Sequence, residues 1–194
     1  MSTKINFPIY DAEKKPRSLK AMKEDFPNYL SDDLSEDVVV MFTGGEPSQC
    51  KAFELFLIKI AEYSVHPVIE TIAPKIEHYS LFLNSVINTI NESYRGQKAT
   101  LKLRLGSTSE RLRKAHYGDV ISLSELSKGF EHFPAVINEG KVVLVFDATL
   151  QIDAMKIQKL FPPDKFVIEL VQPVDAELFN PAPLRKAGYL VAIR

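Results

Sequence analysis

The sequence predicts an α/β protein in which parallel strands alternate with crossover helices, and three observations predict it. The first is Val38–Phe42, five apolar residues in a row, the pattern of a parallel strand buried on both faces. The second is the recurrence of short β-branched runs: strands are expected at Lys4–Tyr10, Val38–Phe42, Pro67–Ile72, Thr100–Leu105, Lys141–Phe146, Phe166–Val171 and Tyr189–Ile193. Most starts lie roughly 30 residues apart, the length of one strand–helix–strand unit. The third is helical periodicity between the strands, as in Gln49–Ser64, where Phe53, Phe56, Leu57, Ile60 and Ala61 form one apolar stripe. Such units build a doubly wound sheet or a full or partial barrel.

Taken in order, Lys4–Tyr10 is the weakest strand, because Pro8 confines it to a sheet edge or shortens it. Glu77–Tyr94 is apolar at Leu81, Phe82, Val86, Ile87 and Ile90, with Gly96 as its stop. A short helix over Glu110–Ala115 follows Gly106-Ser-Thr-Ser109, a candidate phosphate loop that lacks the Walker lysine spacing. Ser122–Phe133 opens on a capping box, Ser122 with Glu125. Asp153–Phe161 starts at an N-capping aspartate and ends at Pro162-Pro163, and Pro183–Ala187 stops at Gly188. One α/β domain over 1–194 is expected: 1–37 for the first strand and a helix, 38–174 for the core units, 175–194 for a last helix and strand.

Of the 194 residues, 45% are hydrophobic and 25% charged, which excludes disordered, collagenous and coiled-coil classes. The net charge of −1 gives no reason to expect nucleic acid, and no apolar run is long enough for a bilayer, so no membrane is expected either. A cytoplasmic location is expected from the lack of a signal-peptide stretch and the single Cys50. One thiol makes no intramolecular disulfide and by itself holds neither zinc nor an iron–sulfur cluster. His66, His78, His116 and His132 are scattered without HxH or HExxH spacing, so no metal site is expected. Arg95–Lys114 is basic, and Lys102 and Arg104 share one face of their strand, either a solvated face or one that meets a carboxylate or phosphate. Asp147 closes the fifth strand at its C-terminal end, as a ligand group or as a cap for the next turn.

Directly after Val38–Phe42 comes Thr43-Gly44-Gly45-Glu46-Pro47. Two glycines permit positive φ and close approach of a ligand to backbone, and the ends of parallel strands are where ligands sit. Glu46 then suits an amine; alternatively the turn only caps the helix beginning near Gln49. Val-Val-Val-Met-Phe-Thr-Gly-Gly-Glu-Pro closely resembles the second strand of radical S-adenosylmethionine (SAM) enzymes, whose Gly-Gly-Glu-Pro turn holds the SAM amino group. Val68-Ile-Glu-Thr71 resembles that family's third strand, Leu103–Gly118 its fourth strand and following loop, and Phe166–Pro173 its sixth, whose end cradles adenine.

The resemblance covers residues from about 38 to 174 and implies a partial (β/α)6 barrel of radical SAM type. It also implies a SAM or amino-acid-like ligand bound by Gly44, Gly45, Glu46, Pro47, Glu70, Arg104 and Gln172. The family's three cluster cysteines belong on the loop after the first strand, yet here that loop reads Asp11-Ala-Glu-Lys-Lys-Pro-Arg-Ser18, without cysteine. A cluster-less relative, or a fragment whose cysteines lie on another polypeptide, is implied, and reductive cleavage of SAM by this chain is not. The alternatives are a non-catalytic partner of an active homologue and an unrelated α/β small-molecule binder. No catalytic residue stands out.

Overall fold

The computed structural model describes residues 2–30, 37–131, 142–172 and 179–194. Lys141, His132, Phe133 and Pro173, each part of an expectation above, lie outside the described residues. The strands are β1 (Thr3–Pro8), β2 (Val38–Thr43), β3 (His66–Thr71), β4 (Thr100–Gly106), β5 (Val142–Asp147), β6 (Phe166–Val171) and β7 (Val191–Ile193). They follow chain order in one sheet, the pairings run parallel, and β7 does not return to β1 among the described residues. The expected parallel α/β class is therefore present, as an open seven-stranded sheet. The chain divides into two compact units: the described residues through Thr71 with His78–Leu101, and Ile72–Glu77 with the described residues from Lys102 onward.

The first unit is held by aromatic packing. β1 pairs with β2 from Thr3↔Val38 to Pro8↔Thr43, and β2 pairs with β3 at Met41↔Val68. The alternate residues Ile5 and Phe7 of β1 and Val38 and Val40 of β2 are buried on the helix side. There Phe7 stacks on Phe56 at 5.0 Å and meets Phe26 edge-on at 5.2 Å, while Phe42 meets Phe53 at 4.9 Å. Phe26 follows helix α1 (Leu19–Asp25), whose N-cap Ser18 accepts from the Ala21 amide; Phe53 and Phe56 lie on α2 (Phe53–Ile60). Helix α3 (Tyr79–Ser93) is tied to α2 by Ser85 donating to Glu54 at 2.6 Å. The buried Tyr94 hydroxyl donates to the Leu57 carbonyl at 2.6 Å, and burial raises the phenol's pKa.

In the second unit the strand alternation separates an apolar face from a charged one. Leu103 and Leu105 of β4, Leu144 and Phe146 of β5, and Ile168 and Leu170 of β6 are buried together. The opposite face carries Lys102, Arg104 and Glu169. Helices α4 (Glu110–Tyr117), α5 (Leu123–Gly129), α6 (Ala154–Leu160) and α7 (Ala182–Lys186) complete the unit. Ser122 and Glu125 form the expected capping box of α5, and Asp153 caps α6 by accepting from the Lys156 amide.

Some boundaries depart from expectation for local reasons. The helix expected over Gln49–Ser64 is α2 alone, flanked by 3-10 turns at Pro47–Gln49 and Ala61–Tyr63. Cys50 is extended at φ −94 and ψ 97, which interrupts the helix before it, and left-handed Ser64 ends the turn after it. The last strand begins at Val191 rather than Tyr189, because Tyr189 turns inward and its hydroxyl bonds the Phe161 carbonyl. Pro8 ends β1, which among the described residues pairs only with β2, as an edge strand should.

The capping box makes stability depend on acid. The Glu125 pKa is lowered, first by the Ser122 hydroxyl and then by the Ser122 amide. A carboxylate with a depressed folded-state pKa stabilises above its unfolded pKa and loses that contribution as pH falls through the folded value. Ser122→Ala should cost about 1 kcal/mol at neutral pH. Urea unfolding from neutral pH into acid should show the gap between wild type and variant narrowing as Glu125 protonates.

Candidate functional site

The parallel register that pairs Pro8 with Thr43 brings the end of β1 alongside the Gly44–Pro47 turn, where Ile9 donates its amide to the Thr43 carbonyl at 2.9 Å. Tyr10 then lies directly against both glycines. A Cβ on Gly45 would stand 2.5 Å from Tyr10 Cε2 and 2.6 Å from Cδ2, and one on Gly44 would stand 3.1 Å from Tyr10 Cβ. Gly44 has φ +96, a conformation that itself favours glycine. The Tyr10 hydroxyl donates to the Glu46 carbonyl at 3.0 Å. Burial, with Cys50 and Glu46 nearby, pushes the phenol pKa up. The glycine pair is thus required on one side by a tyrosine of the same chain, while both glycines are exposed on the other.

The Glu46 side chain is fixed rather than loose. Its Oε1 accepts from Thr71 Oγ1 at 2.6 Å, Ser48 Oγ at 2.9 Å and the Ser48 amide at 3.3 Å. Thr71 is buried at the end of β3. The capping role and the acceptor role therefore coexist: Glu46 caps the Pro47–Gln49 turn, and buried Pro47 starts it. Glu70, one residue before Thr71, is half-buried on the other face of β3.

The loop after β1 is closed on itself. Asp11 Oδ1 accepts from the amides of Glu13 and Lys15 at 2.9 and 2.8 Å, Tyr10 bridges to Pro16, and the Arg17 amide donates to the Ile9 carbonyl at 3.0 Å. Arg17 bonds the Pro8 carbonyl, pairs with Asp25 at 2.9 Å and lies over the Phe7 ring. Cys50 is buried behind this loop, its sulfur 3.8 Å from the Ile9 carbonyl and 3.9 Å from that of Arg17; burial raises its thiol pKa. A four-iron cluster with one open iron needs three thiolates, so the residues present do not fit it. Among the described residues no group of three His, Cys, Asp or Glu side chains could hold a metal, and no helix is long and apolar enough to cross a membrane.

Arg104 and Gln172, the remaining expected site residues, belong to the second unit. The shared face of Lys102 and Arg104 is real, but it is not an anion site built from both. Lys102 is committed to Glu169 at 2.5 Å, both largely buried, with Arg194 also 3.3 Å from Glu169. Arg104 lines a cavity of about 140 Å³ with His116, Tyr117, Val145, Phe146, Asp147 and Val171. Gln172 follows Val171 and donates its amide to the Arg194 carbonyl. The Gly106–Ser109 loop spends its hydroxyls internally, Ser107 and Thr108 both donating to the Gln151 carbonyl, which argues against the phosphate-loop reading. Tyr10 and Tyr117 are the residues sequence reasoning missed; each is matched to a glycine in another segment, a pairing no local pattern announces.

The class this fold defines is an open, parallel α/β sheet with helices between its strands, in a chain with a single cysteine. Its structural likeness is to SuiB of Streptococcus suis. The SuiB crystal structure bound to S-adenosylmethionine is 16% identical with a TM-score of 0.56, over all of this chain and 47% of that one. A second SuiB structure gives 15% identity and a TM-score of 0.59, over all of this chain and 48% of that one. SuiB bound to its precursor peptide SuiA gives 13% and 0.57, again over all of this chain and 48% of that one. The chain thus spans about half the length of the structures it matches. No family model and no curated protein sequence matches it.

Two measurements test this geometry. Gly45→Ala should destabilise the fold by about 1–3 kcal/mol through collision with Tyr10. In a Tyr10→Ala background the same change should cost markedly less, a coupling that a double-mutant cycle by urea unfolding reads directly. Anaerobic iron–sulfur reconstitution should leave the purified chain without a stoichiometric four-iron cluster; iron and sulfide analysis close to four each per chain would contradict the fit.

Proposed function

We propose that this chain is a cluster-free protein of radical SAM fold that binds an amine-bearing small molecule at the Gly44–Pro47 turn without cleaving it, SAM being the leading ligand. The observation that carries the reading is the Glu46 carboxylate, held at the end of a parallel strand by Thr71 and Ser48 beside two exposed glycines. A pre-oriented carboxylate receives an ammonium group with little further ordering, and charge assistance strengthens the bond. Gly44 and Gly45 offer backbone to the ligand, Pro47 fixes the turn, and Glu70 is an expected contributor from the end of β3. Arg104 and Gln172 remain expected contributors from the resemblance; the proposal does not rest on them. The likeness to a SAM-bound structure supports the choice of ligand. A single buried cysteine accords with a reducing compartment, and we place the protein in the cytoplasm.

A second reading is a non-catalytic binding partner, favoured by the likeness to a structure that holds a precursor peptide. Thermal unfolding and calorimetry with SAM separate the two. A ligand at a hundred times its Kd adds roughly 2.7 kcal/mol, a readable rise in Tm. SAM should raise the Tm of the wild type, and Glu46→Gln should abolish the rise while leaving the unliganded Tm near that of wild type. A wild type whose Tm does not respond to millimolar SAM or methionine overturns the ligand reading and leaves the peptide-partner one.

A further inference from the structure

The outer side of β7 carries backbone groups that nothing uses. The Leu190 carbonyl accepts from the Ile168 amide, the Arg194 amide donates to the Leu170 carbonyl, and the Arg194 carbonyl accepts from the Gln172 amide, each at 2.9 Å. The even-numbered residues therefore turn their backbone toward β6, and Val191 and Ile193 turn theirs away from it. Among the described residues nothing pairs with those two amides and two carbonyls. Such an open strand invites pairing with another extended chain. β7 contains no proline that would prevent it.

Side chains along this edge are apolar on one face and basic on the other. Val191 stands level with buried Ile168 and Ile193 with buried Leu170, so both lie on the apolar face, yet Ile193 is 50% exposed. Ala192 stands level with Glu169 on the charged face, where half-exposed Arg194 approaches Glu169 at 3.3 Å. Glu169 also pairs with Lys102, so one carboxylate stands against two cations here. The helix leading into the strand, α7, ends in exposed Arg185 and Lys186. Residues 179–194 include no acidic side chain.

We propose that β7 is a docking edge for an extended acidic peptide, which adds as a further strand with a carboxylate beside Arg194 and apolar side chains beside Val191 and Ile193. Main-chain hydrogen bonds to the outward groups of Val191 and Ile193 supply the pairing. The alternation of acidic and apolar residues in the guest supplies the selectivity, because the two kinds must fall on opposite faces. A second copy of this chain is the poorer guest, since it brings the same cations to the edge and like charges repel. The edge lies within the second unit and does not depend on a ligand at the Gly44–Pro47 turn.

Amide hydrogen exchange by NMR on the whole chain tests it. The probe is a capped hexapeptide of alternating glutamate and valine, and the control is its lysine–valine counterpart. Saturating glutamate peptide should slow exchange of the Val191 and Ile193 amides at least tenfold, while that of Arg194, already bonded to Leu170, changes little. The lysine peptide should protect neither. Arg194→Glu should weaken the glutamate peptide at least tenfold, and so should Val191→Pro, which removes an outward amide at a position where a strand tolerates proline. Circular dichroism confirms that each variant folds, and Arg194→Glu decides if Val191→Pro does not. No protection by the glutamate peptide, equal protection by both peptides, or protection that survives Arg194→Glu overturns the proposal. Protection that rises with protein concentration alone overturns it equally and assigns the edge to a second copy.

Discussion

The contact on which the rest of the Gly44–Pro47 turn depends is Tyr10, its ring against Gly45 and its Cβ and backbone against Gly44. It joins the end of β1 to the end of β2, and the Tyr10 hydroxyl extends the junction to the Glu46 carbonyl. Glu46 in turn reaches Thr71 at the end of β3. Three successive strand ends are thus linked by one aromatic ring, one carbonyl and one carboxylate. A side chain larger than hydrogen at Gly45 could not coexist with that chain of contacts.

The same contact changes the meaning of the glycine pair. From the sequence alone the glycines are expected to give a ligand close approach to backbone. Part of the turn's glycine requirement is structural instead, because the loop following β1 carries a tyrosine where a cysteine-bearing loop would be expected. That loop is short and internally bonded, Asp11 satisfying two amides and Arg17 bonding the Pro8 carbonyl while it spans Phe7 and Asp25. Cys50, packed behind it, behaves as a small hydrophobe with a raised thiol pKa rather than as a ligand.

What was legible in the sequence was local or periodic. The apolar run Val38–Phe42 announced β2, Ser122 with Glu125 announced a capping box, and Asp153 announced an N-cap, because each signal lies within a few residues of its effect. The leucine alternation of Thr100–Leu105 likewise sorted the two faces of β4 correctly. The commitment of Lys102 was not legible, since Glu169 lies 67 positions away and two strands across. Tyr10 and Tyr117 were hidden for the same reason: a glycine reveals that something needs room, and nothing nearby says what. The break at Cys50 was not legible, because the apolar stripe begins only at Phe53 and carries no signal of where the helix before it starts.

Pro8 has a consequence for how copies of this chain meet. In β1 the odd-numbered residues direct their backbone toward β2, as the amides of Thr3 and Ile9 show, so the even-numbered Lys4, Asn6 and Pro8 direct theirs to the open side. Pro8 has no amide to offer there, and its carbonyl is already taken by Arg17. A foreign strand docking along this border would find its ladder broken at the Pro8 rung, with neither donor nor acceptor to meet. The residue that limits β1 to six positions also makes the border of the sheet a poor template for self-association.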